Sequence, residues 1–326
     1  MSFLRKHGVL LGLALALIIA PFLFYPVLVM KVLCFAIFAC AFNLLLGYTG
    51  LLSFGHAAYF GTGAYITGYV ATRWAVTPEL GLLFGAGAAA LLGLVFGGLA
   101  IRRQGIYFAM VTLALAQMLY FFYLQAPFTG GEDGLQGVPR GDLFGLISLS
   151  SDNAMYVFVS VIFLASMWLI DRIIHSPFGQ VLKSIRENED RALSLGYDVD
   201  RYKLAAFVLS SALAGLAGAT KTLMLGFATL SDVFWGTSGE VVLMTLLGGV
   251  GTLLGPVVGA VIFIVLQNEL ADKVGSWVMV ILGAIFVINV LAFRKGVVGE
   301  IADRLERRKS AKQENASMDK RSASKP

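Results

Sequence analysis

From about residue 8 to residue 293 the chain is a succession of apolar runs, most of them about twenty residues long, parted by short polar breaks. A run of that length is what an α-helix needs to cross a hydrocarbon core of about 30 Å. In lipid every backbone N–H and C=O must be paired within the chain, which leaves only helices or a closed barrel. Barrel strands would alternate apolar and polar residues, and these runs are continuous instead. Composition agrees: 58% of residues are hydrophobic and 14% charged, with a mean hydropathy of +0.80. The 37 glycines suit a bundle in which small residues let membrane helices approach closely. The expected fold is an all-α, polytopic helical membrane protein.

The runs cover about residues 8–25, 27–46, 51–71, 81–101, 105–125, 153–170, 204–226, 239–270 and 276–293. The first follows Arg5 and Lys6 like a signal peptide, but no small-x-small cleavage signal is clear and more runs follow at once. It reads as an uncleaved first helix. Lysine and arginine placement sets orientation. With the N-terminus inside, Arg102-Arg103, the charged stretch Ser176–Lys203 and the Arg294–Lys325 tail all fall inside. The acidic loop with Glu132, Asp133, Asp142 and Asp152 falls outside. Lys31, Arg73, Arg140 and Lys273 are single exceptions outweighed by these clusters. For the tail to be inside, residues 239–270 must cross an even number of times. Two short spans hinged at Gly248-Gly249-Val250-Gly251 and Gly255-Pro256 give about ten helices; a re-entrant hairpin there gives about eight. Ten is preferred, with both termini cytoplasmic. Residues 1–295 then form one membrane domain, and 296–326 a basic tail of Lys, Ser and Ala without apolar period, read as disordered. Its cations suit an anionic lipid surface.

Ser176–Lys203 is the one long charged island. Six basic and six acidic residues lie between Asp171 and Lys203, so it stays out of lipid. It is nonetheless patterned. Ser176 is an N-cap residue followed by Pro177 at the first helical position. Phe178, Val181, Leu182, Ile185, Ala192 and Leu195 recur at helical spacing. Asn188 can cap a second short helix with Glu189 and Asp190 in its first turn, and Gly196 can stop it. Segment 174–203 is therefore an amphipathic water-facing element whose apolar face requires a partner. Its mixed charge argues against a helix resting on the membrane surface.

Several function classes are excluded or disfavoured. The net charge of +5 is no nucleic-acid signal, because ten of the 25 basic residues lie from Arg294 onward. Cys34 and Cys40 sit in an apolar run, and His7, His56 and His175 are scattered, so no metal site is expected. No phosphate loop of the G-x-x-x-x-G-K-[ST] form occurs, and no cofactor or catalytic motif; the chain does not hydrolyse nucleotide itself. No Asp or Glu lies deep in any run, which disfavours a proton-coupled secondary carrier.

Further residues carry a family likeness. Gly47-Tyr-Thr-Gly-Leu-Leu-Ser-Phe-Gly-His-Ala-Ala-Tyr-Phe-Gly-Thr-Gly-Ala-Tyr65 resembles the N-terminal signature of permeases from branched-chain amino acid ABC importers. Gly105–Ala114, Thr129–Gly137, Ser176–Gly196 and the block from Gly248 to Ala260 resemble their later signatures, in the right order from about residue 35 to 295. The general permease motif E-A-A-x-x-x-G reads Asp190-Arg191-Ala192-Leu-Ser-Leu-Gly196 here, keeping only its second alanine and its glycine. The resemblance implies the permease subunit of an importer in the bacterial inner membrane. It also implies a second homologous permease, two cytoplasmic ATP-binding subunits and a soluble substrate-binding protein. The implied substrates are branched-chain or other apolar amino acids, with urea, short amides or aromatic acids as the alternative.

Two sets of residues are singled out. For coupling to the ATPases these are Ser176, Pro177, Phe178, Gly179, Ile185, Arg186, Glu187, Asn188, Glu189, Ala192, Leu195 and Gly196. Phe178, Ile185 and Leu195 are expected to fill an apolar groove on the ATPase, with Arg186, Glu187 and Glu189 on its rim. For the pathway, the polar residues within runs are Asn43, Ser53, His56, Thr112 and Gln117. Lys221 is expected to snorkel toward the outer end of its span.

Overall fold

The computed structural model describes residues 2–292, 296 and 298–300. The expected tail from residue 301 onward, and the position of the C-terminus with it, lie outside the described residues. Among the described residues the protein is all-α apart from one two-stranded ribbon, Asp142–Leu143 against Ile147–Ser148. Twelve α-helices follow in chain order: α1 (Ser2–Leu23), α2 (Pro26–Thr49), α3 (His56–Arg73), α4 (Pro78–Ala100), α5 (Gly105–Gln125), α6 (Asp152–His175), α7 (Pro177–Glu187), α8 (Glu189–Ser194), α9 (Val199–Leu225), α10 (Trp235–Gly248), α11 (Gly255–Val274) and α12 (Val278–Ala292). Five of them, α2, α4, α5, α6 and α9, are long and apolar enough to cross a membrane by length and composition.

Local chemistry sets the helix ends. Proline opens α2, α4, α7 and α11 within the first turn, where its missing N–H has no helical partner to lose. The third run divides: Leu51–Gly55 is not helical, and α3 starts only at His56. The run 239–270 also breaks where its glycines predict. α10 ends at Gly248, α11 starts at Gly255, and Gly249 and Gly251 take φ of 122° and 78°. At about 1.5 Å per residue, the 14 residues of α10 rise about 21 Å, short of a full hydrocarbon core.

The core is organised on α9, which packs against α2, α3 and α4. Its crossing with α3 is glycine-on-backbone. A Cβ at Gly218 would lie 1.9 Å from the Phe60 carbonyl oxygen, and one at Gly63 would lie 2.0 Å from that of Gly215. Such backbone contact replaces hydrophobic burial as the source of adhesion where lipid is the solvent. By contrast α5 leaves Ile106, Tyr107, Met110, Met118, Phe121 and Phe122 exposed, a face for lipid or another membrane chain.

Candidate functional site

The charged island folds as α7 and α8, a compact helical pair between α6 and α9. Both caps form as the sequence indicates. Ser176 Oγ accepts from Gly179 N at 3.3 Å, and Asn188 Oδ1 accepts from Arg191 N at 2.9 Å. α8 closes with a Schellman motif: Gly196 N donates to the Leu193 carbonyl at 2.9 Å and Tyr197 N to that of Ala192 at 3.2 Å. Gly196 takes φ +85°, the left-handed geometry that this motif needs. Gly179 answers a different demand. Any side chain there would lie 2.4 Å from the Ile174 carbonyl oxygen, so glycine lets α7 turn tightly off the end of α6.

The apolar face points elsewhere than expected. Ile185 is only 3% exposed and clusters with Ala192 and Val199, with Val181 and Tyr202 against them. Phe178 stacks on Tyr202 of α9, ring centroids 5.7 Å apart and 22° between planes. Ile185 is thus spent on the protein's own core, and Phe178 is half-buried against Tyr202. The free apolar residues are Leu195, 68% exposed, and Leu193, 54% exposed. The sequence reading passes over Leu193, whose position falls off the apolar stripe of α7.

The expected rim charges are likewise anchored inward. Glu189 Oε1 accepts from Lys203 Nζ at 2.6 Å and from Gln104 Nε2 at 3.0 Å, tying α8 to α9 and to the turn before α5. Lys203 is 2% exposed. Arg186 Nη1 donates to the Gly47 carbonyl in the last turn of α2, where helix carbonyls lack helical partners and a cation is favoured. Lys183 lies over the Tyr48 ring at 5.8 Å. Glu187 remains exposed.

Among the pathway candidates, four are hydrogen-bonded within the protein. His56 is fully buried, with Nε2 2.8 Å from Ser210 Oγ. Ser210 spends its own proton on the Ala41 carbonyl at 2.5 Å, so the His56 ring donates through Nε2 and joins α3 to α9 and α2. Asn43 grips the α10–α11 break: Nδ2 donates to the Thr252 carbonyl and Oδ1 accepts from Gly251 N, both at 2.9 Å. Thr112 accepts from Phe54 N at 3.2 Å and donates to the Ala109 carbonyl at 2.9 Å. Ser53 accepts from Gly55 N at 3.3 Å within the 51–55 turn. Gln117 alone of the five is half-exposed and without a hydrogen bond among the described residues. Lys221 does not snorkel. It is buried, with Nζ 2.7 Å from both carboxylate oxygens of buried Asp232 and 5.2 Å from the Phe227 ring centre. No group of three or more metal-ligating side chains occurs among the described residues.

The family profile described as the permease component of branched-chain amino acid transport systems matches residues 24–290, from α2 to the end of α12 and including α7–α8. The chain belongs to that permease family. The high-affinity branched-chain amino acid transport system permease protein LivM of Escherichia coli (strain K12) is 27% identical to this permease over 292 residues. That match covers 81% of this chain and 67% of LivM. The autoinducer 2 import system permease protein LsrC of Klebsiella pneumoniae is 33% identical over 186 residues, covering 54% of this chain and 50% of LsrC. The xylose transport system permease protein XylH of Escherichia coli (strain K12) is 28% identical over 185 residues, covering 51% of this chain and 44% of XylH. No solved structure matches the chain. These relatives are transport permeases rather than enzymes, and the apolar helices of this one suit a multi-pass membrane protein.

Proposed function

We propose that this permease forms half of the translocation pathway of an ABC importer for branched-chain or other apolar amino acids. A soluble binding protein delivers the substrate, a second homologous permease completes the pathway, and two cytoplasmic ATP-binding subunits drive it. Residues 1–295 form the membrane domain with ten crossings and both termini inside, and 296–326 a basic cytoplasmic tail. The ATPases dock on segment 174–203. The observation that carries this reading is the construction of α7–α8. A helical pair capped at both starts and pinned by Arg186 and Glu189 transmits displacement, where a flexible loop would dissipate it. It also offers Leu193 and Leu195 to a partner. Gln117, on the exposed face of α5, is the pathway residue the geometry supports.

Co-purification tests the docking surface. Leu195→Asp with Leu193→Asp should leave the permease inserted but release the ATPases, because an unpaired carboxylate in a buried contact costs several kcal/mol. ATPases that remain bound sink the assignment. A cysteine at Asp190 should react only with reagent admitted to the cytoplasm, and one at Asp133 only with external reagent. Uptake into vesicles should need ATP and survive a protonophore; collapse with the proton gradient alone would favour a secondary carrier.

Resemblance to the xylose and autoinducer 2 permeases over about half of the chain favours a sugar-like substrate as the second reading. Titrating the cognate binding protein with leucine, urea and xylose separates these choices.

A further inference from the structure

The inward anchors of α7–α8 lead to different parts of the protein. Glu189 leads to α9 and the turn before α5. Arg186 leads to the carbonyl of Gly47 and also lies against the α10–α11 break, where a Cβ at Gly251 would sit 2.9 Å from Nη1. One turn back along α2, on the same face, Asn43 holds that break by both ends of its amide. Gly47 stands between them. A Cβ at Gly47 would lie 2.3 Å from Asn43 Oδ1 and 2.8 Å from Gly251 N, so the break runs directly on the surface of α2. Gly249 and Gly251 adopt conformations that L side chains rarely take, and the connected helices are short of regular pairing between residues 249 and 254. Arg186 reaches this region through a charge-assisted hydrogen bond to the Gly47 carbonyl, with its guanidinium beside Gly251, and such a bond is directional and breakable.

We infer that Arg186 and Asn43 form a strut along the end of α2 that carries displacement of α7 to the paired helices α10 and α11 through the break that joins them. This inference rests on the reading of α7–α8 as the ATPase-docking element and names where the motion goes. Neither residue touches substrate; both are positioning residues. The α3–α4–α9 block, locked by backbone-to-backbone contact at its α3–α9 crossing, is then the stationary part, and α10–α11 the part that responds. The helices α10 and α11 are themselves locked together: a Cβ at Gly248 would lie 1.7 Å from the Gly255 carbonyl oxygen and one at Gly259 1.8 Å from that of Met244, so they respond as one body.

The test is the ratio of substrate taken up to ATP hydrolysed by the complete importer in proteoliposomes. Arg186→Gln and Asn43→Ala should each keep the ATPases bound and hydrolysis within about twofold of the parent, while the ratio falls about tenfold, a typical size for coupling between sites. The double variant should fall no further than the worse single, since the two residues lie on one mechanical path. Arg186→Lys, which keeps a cation at the end of α2, should retain more of the ratio than Arg186→Gln. An unchanged ratio, or falls that multiply in the double variant, overturns the strut. If Asn43→Ala does not accumulate, Arg186→Gln, a change at an exposed side chain, decides the matter alone. Failure of the docking reading is seen separately, as ATPases that stay bound to the Leu193→Asp, Leu195→Asp variant.

Discussion

Two polar segments interrupt the helices of this permease, and they are stiffened in opposite ways. Residues 176–198 are held by side chains: three polar N-caps, an arginine on a helix end, and a lysine–glutamate pair at 2.6 Å. Residues 126–151 are held largely by backbone, with Arg140 adding bonds to Asp152 and to the Ser150 and Met224 carbonyls. Glycines 130, 131, 134, 137, 141 and 145 all take positive φ. Leu135 and Ala228 exchange two backbone hydrogen bonds of 2.9 Å, and Val138 N donates to the Gly226 carbonyl at 2.8 Å. Side-chain anchors can be released one at a time as the segment moves, whereas the backbone bonds of the loop tie it to the 226–228 stretch. The first construction suits an element that must shift as a unit, and the second a surface that must keep its form. The 226–238 stretch on which the glycine loop leans is itself fixed by the buried Lys221–Asp232 pair.

The largest effect should come from that pair. Lys221→Met strands a buried carboxylate, and loss of one member of a buried pair costs about 3–5 kcal/mol. The thermal midpoint in detergent should drop sharply, and adding Asp232→Leu should recover part of it. A double variant no better than the single would mean that the pair does not support the 226–238 stretch. Next comes Gly134→Ala. Its φ is +69°, and the new Cβ would lie 2.3 Å from the Ala228 carbonyl oxygen, so about 1–3 kcal/mol of strain is expected. Proteolysis should then open the 126–151 loop while leaving 176–198 intact. Ser176→Ala removes one cap, at about 1 kcal/mol, and Ser176→Asp should restore it. If Ser176→Ala were the costlier of the two, the contrast between the segments would be reversed. The smallest effect belongs to Leu195→Asp, which should leave stability within about 0.5 kcal/mol because that side chain meets solvent. A marked loss of stability there would mean that Leu195 packs within the permease.

Much of this architecture is legible one residue at a time. Apolar run length marked the helices, and the N-caps of α7 and α8 and the glycine stop of α8 lie where residue type alone puts them, because a cap is a contact over three residues. The break at Gly249–Gly251 is local in the same sense: few residues other than glycine tolerate such φ values. The faces of the helices were less accessible. Periodicity located an apolar stripe through Ile185 but not what covers it, and the cover turned out to be Val199 and Tyr202 of α9. The partners of polar residues within the membrane runs were hidden for the same reason. Asn43 reaches partners 208 and 209 residues away, and His56 one 154 residues away.

The sequence by itself determined that this is a helical membrane permease with one capped, charged interruption, since lipid admits few backbone solutions and caps are short-range. Only the tertiary structure decided which polar groups are spent on the protein itself. A hydrogen bond or ion pair between distant residues such as Arg186 and Gly47 leaves no periodic trace in the chain, and exists only once α2, α7 and the α10–α11 break are brought together.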